Sequence, residues 1–124
     1  MPFLLAPENA VTVTRGVTQA LLFTAKDSAG AILVLTGARI IFSVKEYRED
    51  RNVVLQKSTD TLGQISIVSA ARGTFTVNLL PADTKNLKVE SYFFDIWVVV
   101  TGGARYAVVP SSSFIVEQNI TFIP

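Results

Sequence analysis

The sequence predicts an all-β protein built as an antiparallel sandwich or barrel, and three observations carry that prediction. Turn signals recur about every dozen residues, and the runs between them alternate apolar with polar side chains. Helical character is confined to one short piece, Leu80 to Leu87. The length of 124 residues with 49% hydrophobic content suits a single globular domain, since a chain of this size buries roughly two-thirds of its unfolded surface.

The elements follow in order. Val11–Thr14 is a first strand, and Arg15-Gly16 bends the chain after it. Ala20 to Lys26 is a second strand, with Leu21, Phe23 and Ala25 on one face. Asp27-Ser28-Ala29-Gly30 combines an Asp that can bond its own downstream backbone with a Gly that tolerates positive φ, so it is a turn. Ile32 to Leu35 resumes as a short strand. Ala38 to Tyr47 alternates most regularly: Ile40, Phe42 and Val44 share one face, whereas Ser43 and Lys45 give the other a polar character.

Arg48-Glu49-Asp50-Arg51-Asn52 is a polar loop whose charges cancel, which suits a solvated hairpin tip or bulge. Val53 to Ser58, Gln64 to Val68 and Thr74 to Leu80 are further strands. Pro81 fits the first position of a one- or two-turn helix, because its fixed φ suits that position and its missing N–H would be unpaired there anyway. Ser91 to Val100 is the longest strand. Gly102-Gly103 turns it into Arg105 to Val109, a tight hairpin, and Phe114 to Glu117 and Ile120 to Ile123 complete the chain.

Composition removes many chemistries. There is no cysteine and no histidine, so disulfides, thiolate nucleophiles and the commonest general base and metal ligand are absent. A formal charge of +1 lacks the clustered basic surface that nucleic acid or an anionic membrane requires. No run approaches the roughly 20 apolar residues of a membrane span. The start, MPFLLAPENA, has no basic region, and Pro7 cuts its apolar run too short for a signal peptide. Asp27 to Gly30 and Glu49-Asp50 are the nearest approaches to a calcium loop, and neither has its ligand pattern. The expectation is a protein without catalysis, cofactor or metal.

Ser91–Val100 departs from alternation. Tyr92, Phe94, Ile96, Val98 and Val100 share one face, but Phe93, Asp95, Trp97 and Val99 occupy the other, and only Asp95 is polar there. A half-exposed antiparallel strand has a polar outer face. Two explanations fit: cover by the chain's own termini or loops, or burial in a subunit interface rich in aromatics. Asp95, if buried, needs a partner, which arginines or backbone N–H groups could supply. Apolar tails add to the interface reading. Its candidate residues are Phe3, Leu4, Leu5, Phe93, Trp97, Val99, Ile120, Phe122 and Ile123.

Four segments stand in a recognisable order: VTVTRGVTQALLFTAKDSAGAIL (11–33), LTGARIIFSVK (35–45), GTFTVNLLPADTKNL (73–87) and YFFDIWVVVTGGARYAVVPSSSFIVE (92–117). Their order and spacing resemble the Ig-like β-sandwich module of tailed-bacteriophage structural proteins, as in the N-terminal domain of the baseplate upper protein family. Val17 departs from the acid common in that family, and the tail after Glu117 has no counterpart. The resemblance implies an Ig-like antiparallel β-sandwich of about 7–9 strands, with arms at 1–10 and 118–124 around a domain at 11–117. It implies a virion component, assembled in the host cytoplasm, that packs as a homo-oligomer or against other virion proteins in the baseplate, tail or fibre attachment. A capsid decoration protein is the alternative within that class. A carbohydrate-binding module, with Tyr47, Trp97 and Tyr106 stacking on a glycan, is the alternative from another.

Overall fold

The computed structural model describes residues 10–49 and 51–118. Eight strands and one helical turn lie among them: β1 (Val11–Thr14), β2 (Gln19–Thr24), β3 (Arg39–Lys45), β4 (Leu55–Ser58), β5 (Ile65–Ser69), β6 (Thr74–Leu79), α1 (Pro81–Thr84), β7 (Ser91–Val99) and β8 (Arg105–Glu117). One sheet has the order β1-β8-β7-β3-β4 and the other β2-β6-β5. That division places the second, fifth and sixth strands opposite the third, fourth, seventh and eighth, which is the arrangement of an Ig-like sandwich.

Most elements fall where alternation places them, and the differences have local causes. Ile32 to Leu35 is not a ladder strand; one bridge, Lys26 with Ile32, is all it forms. Its backbone is held instead by single hydrogen bonds, Leu33 N–H to Ala25 O at 3.0 Å and Leu35 N–H to Ala70 O at 2.9 Å. A β-carbon on Gly73 would lie 2.7 Å from the Leu33 carbonyl oxygen, so only glycine lets these segments meet. Asp27 Oδ1 accepts the N–H groups of both Ala29 and Ala31 at 2.9 Å, which accounts for that carboxylate as a turn former. Val53 and Val54 precede β4 rather than starting it.

The largest difference is β8. Arg105 to Glu117 forms one strand of 13 residues, where the sequence suggests two pieces separated by Pro110 and three serines. The ladder with β7 shifts register between Phe94 and Ile96 and again between Ile96 and Trp97. Bulges there absorb extra residues of β8, and a residue lacking an N–H is tolerated at a bulge. A second difference is that β1 pairs with β8 in parallel. Parallel neighbours need a long connection, and here the rest of the domain is that connection. The expected strand Ile120 to Ile123 lies outside the described residues.

The core fills the space between the sheets. Phe42, Phe75, Phe94 and Phe114 are fully buried. Phe94 on β7 is the hub, with ring centroids 5.6 Å from Phe42, 6.1 Å from Phe114 and 6.2 Å from Phe23 of the opposite sheet. Phe23 in turn stacks on Phe75 at 5.7 Å. Two residues before Phe94, the Tyr92 hydroxyl donates to the Lys88 carbonyl at 2.9 Å. This is the tyrosine corner of Ig-like folds, which in antibody domains stands two residues before an inter-sheet cysteine. Phe94 takes that cysteine's place, and its contact with Phe23 ties the two sheets together.

One polar clamp supplements the aromatic one. Lys57, 4% exposed on β4, points inward beside Phe42, and its Nζ lies 2.7 Å from Asp83 Oδ2. The same oxygen accepts the Leu80 N–H at 2.7 Å, so Asp83 caps α1 and pairs Lys57 together. Thr84 closes the corner by accepting the Gly16 N–H at 2.8 Å. Removing one partner of a buried pair strands the other charge. Asp83→Ala, which leaves Lys57 buried and Leu80 uncapped, should lower stability by about 3 kcal/mol in urea unfolding. Lys57→Met keeps the volume and leaves the better-hydrated Asp83 to its capping bond, so its loss should be about 1 kcal/mol.

Candidate protein-interaction face

The outer face of the five-stranded sheet collects the side chains that the sequence singles out. β7 is central, flanked by β3 and β8. Its inward residues Tyr92, Phe94, Ile96 and Val98 are buried in the core. Pairing then fixes the outward rows. Val99 lies between Arg39 and Arg105, Trp97 between Ile41 and Ala107, Asp95 beside Ser43, and Phe93 between Lys45 and Ser113. Ile115 stands beside Ser91 one row further on.

Of the two explanations for this apolar strand, cover by the chain's own loop accounts for part of the face. At one end the chain covers itself: the Arg48 guanidinium sits 4.8 Å from the Phe93 ring centroid, a cation–π contact over a half-buried ring. The polar loop is therefore not wholly solvated, since its first residue serves the sheet. Beyond it, a shallow groove of about 170 Å³ runs along Ser43, Lys45, Phe93, Asp95 and Ser111. At the other end Trp97 is 41% exposed with Ile41 and Val99 half-buried beside it. Phe3, Leu4, Leu5, Ile120, Phe122 and Ile123 lie outside the described residues.

Among the described residues neither an arginine nor a backbone amide bonds Asp95. Its Oδ2 accepts the Trp97 indole N–H at 3.1 Å. The residues are two apart on the same face of one strand, so their side chains lie side by side. This pairing ties the indole to the half-buried carboxylate, and i, i+2 spacing on a strand is the signal that could have found it.

Charge on the face is unevenly placed. Arg39 pairs with Asp60 through Nη2 to Oδ2 at 2.7 Å, and the hydrogen bond to Arg39 holds the Asp60 carboxyl below its usual range. Arg105 marks the same end of the sheet. At the far end Glu117 and Glu90 border a broad groove of about 460 Å³ with Val89, Ser91 and Ile115. There, partial burial first and the hydrogen bond and charge of Glu46 second push the Glu90 carboxyl up. Desolvation, joined by the charge of Glu90, likewise raises Tyr92.

The three aromatics of a glycan platform are not brought together. Tyr106 pairs with buried Val98, so it faces away from Trp97. Tyr47, 60% exposed, lies in the bend after β3, past the Lys45 row, whereas Trp97 stands in the Ile41 row. Among the described residues no three His, Cys, Asp or Glu side chains group to hold a metal ion, and no helix is long and apolar enough to cross a membrane. No protein-family model matches the chain, and no curated protein matches it.

The raised Glu90 has a pH consequence. Folding favours its protonated form, so its favourable contribution is full below the ordinary glutamate range and is lost as pH rises through the raised value. Glu90→Gln, which removes the repulsion with Glu46, should therefore raise Tm at neutral pH. That gain should vanish as thermal melts are taken down through the carboxylate range.

Proposed function

We propose that this domain is a structural component of a tailed-phage virion, placed in the baseplate, tail or a fibre attachment, and that it acts by packing against neighbouring proteins rather than by chemistry. The observation that carries the reading is the outer face of β7. A central strand of an Ig-like sandwich presents Phe93, Trp97 and Val99 outward, flanked by Ile41, where an uncommitted sheet carries polar side chains. The ordered segments 11–33, 35–45, 73–87 and 92–117 supply the link to phage sandwich modules by resemblance.

An apolar outer face with an anchored indole is the composition of an interface core. Trp97 is the side chain around which a partner would close, because it is large, held in one orientation by Asp95 and already half desolvated. Antibodies raised against the protein should label purified tailed particles at the tail or its tip. Trp97→Arg should reduce incorporation into particles about tenfold or more while leaving Tm of the free domain within a few degrees. Particles that assemble and infect without the protein would overturn the proposal, as would a protein that binds a glycan array through Trp97 and is absent from particles.

A further inference from the structure

We infer that the outer face of the five-stranded sheet binds the same face of a second copy of this chain, the two sheets stacked with strands antiparallel about a two-fold axis crossing β7 at Phe94. The inference deepens the packing role proposed above by naming the partner. It rests on how charge and apolar surface are ordered along the strands. An isologous interface must be self-complementary under its own rotation, and this face is so in one orientation only.

Rotation about an axis across the strands leaves each strand over its own copy and reverses its direction. The β7 rows then meet as Trp97 with Ser91 and Asp95 with Phe93 and the Arg48 guanidinium over it, while Val99 reaches the bend at Val89 that precedes β7. On β8, Arg105 meets Glu117 and Ala107 meets Ile115, because the ladder places Arg105 beside Val99 and Ile115 beside Ser91. Asp95 also comes to the row of Lys45, which pairs with Phe93. Cation meets anion at both ends, and the indole lies over an uncharged row. Rotation about an axis along the strands instead sets β8 over β3 and brings Arg105 onto Arg39, whose guanidinium Asp60 already holds, so Glu117 receives no cation from Arg105. The antiparallel stack pairs Arg105 with Glu117 on both sides of the axis, and charge selects it.

Neither Arg105 nor Glu117 has an ion-pair partner among the described residues, and both side chains are exposed. The size of the face is adequate. The strands of this sheet hold 4, 13, 9, 7 and 4 residues, and at about 4.8 Å between strands and about 3.3 Å per residue they span roughly 590 Å², about the 600 Å² per partner at the lower end of stable interfaces. Aligned sheets stack about 10 Å apart with strand directions within about 30°, and the lengths of Arg and Glu side chains span the offset at the ends.

Sedimentation velocity on the full chain tests this, with emission of Trp97, the one tryptophan in the sequence, as a second reading. The wild type should sediment as a dimer at about 100 µM, and its emission should shift to the blue as dimer forms. Arg105→Glu and Glu117→Arg should each weaken the dimer about tenfold or more, because each change acts twice across the axis. The double variant Arg105→Glu/Glu117→Arg should restore it to within about threefold of wild type. A monomer at that concentration, a dimer indifferent to the single reversals, or a double variant as weak as the singles would overturn the inference. Labelling of particles reads the packing role separately, so a monomeric protein found in particles would defeat the dimer and leave that role standing.

Discussion

The contact between Phe94 and Phe23 is the constraint on which the sandwich depends. Two sheets that share no backbone ladder are held in register only by what crosses the gap, and Phe94 touches rings from β2, β3 and β8 at once. The position is fixed from the chain side as well, because the Tyr92 hydroxyl locks the approach to β7 onto Lys88. In antibody domains a covalent bond does this work. Here ring packing replaces it, and such contacts add about 0.5–1.5 kcal/mol per pair beyond the area they bury. With β7 fixed from within, the positions of its outward side chains are fixed too, so the geometry of the outer face is set by the core.

Much of this was legible in the residues because strands and turns are local properties. Period-2 alternation placed β3, β6 and β7, and the glycine pair at 102–103 placed the β7–β8 hairpin, where the Val100 N–H bonds Ala104 O at 3.0 Å. The contrast between Ser43 with Lys45 on β3 and Trp97 with Val99 on β7 marked the unusual face. What alternation could not show was any relation set by distant contacts. The continuity of β8 through Pro110 depends on bulges opposite Ile96. The inward lysine at 57 has no explanation within its own strand until Asp83 is brought beside it. Arg48 reads as loop charge until Phe93 is found under it. In each case a partner far along the chain overrides the local reading.

The two outer surfaces of the sandwich differ in kind. On the three-stranded sheet Thr74 and Thr76 of β6 lie between β2 and β5, and Asn78 bonds Ser66 Oγ and the Gly63 carbonyl. That surface is small and partly internally bonded, and it mixes these polar groups with exposed Leu22 on β2 and Val68 on β5. The five-stranded sheet carries the indole, a ring under a guanidinium, and opposite charges at opposite ends. The two sides therefore differ in how their side chains are held: hydrogen bonds among short side chains on one, and an aromatic row bracketed by charge on the other.

The parallel pairing of β1 with β8 bears on how the domain responds to tension. Val11 lies beside Phe114 and Thr14 beside Glu117, so the chain enters at the start of one strand and leaves at the end of its neighbour. A pull on the two ends slides these strands lengthwise past each other, and their hydrogen bonds must yield together rather than open one by one from an end. Resistance to forced extension is governed by the unfolding barrier, and shearing a registered ladder places that barrier at the first step. A domain threaded in this way transmits a stretch along its long axis while its sheets stay closed.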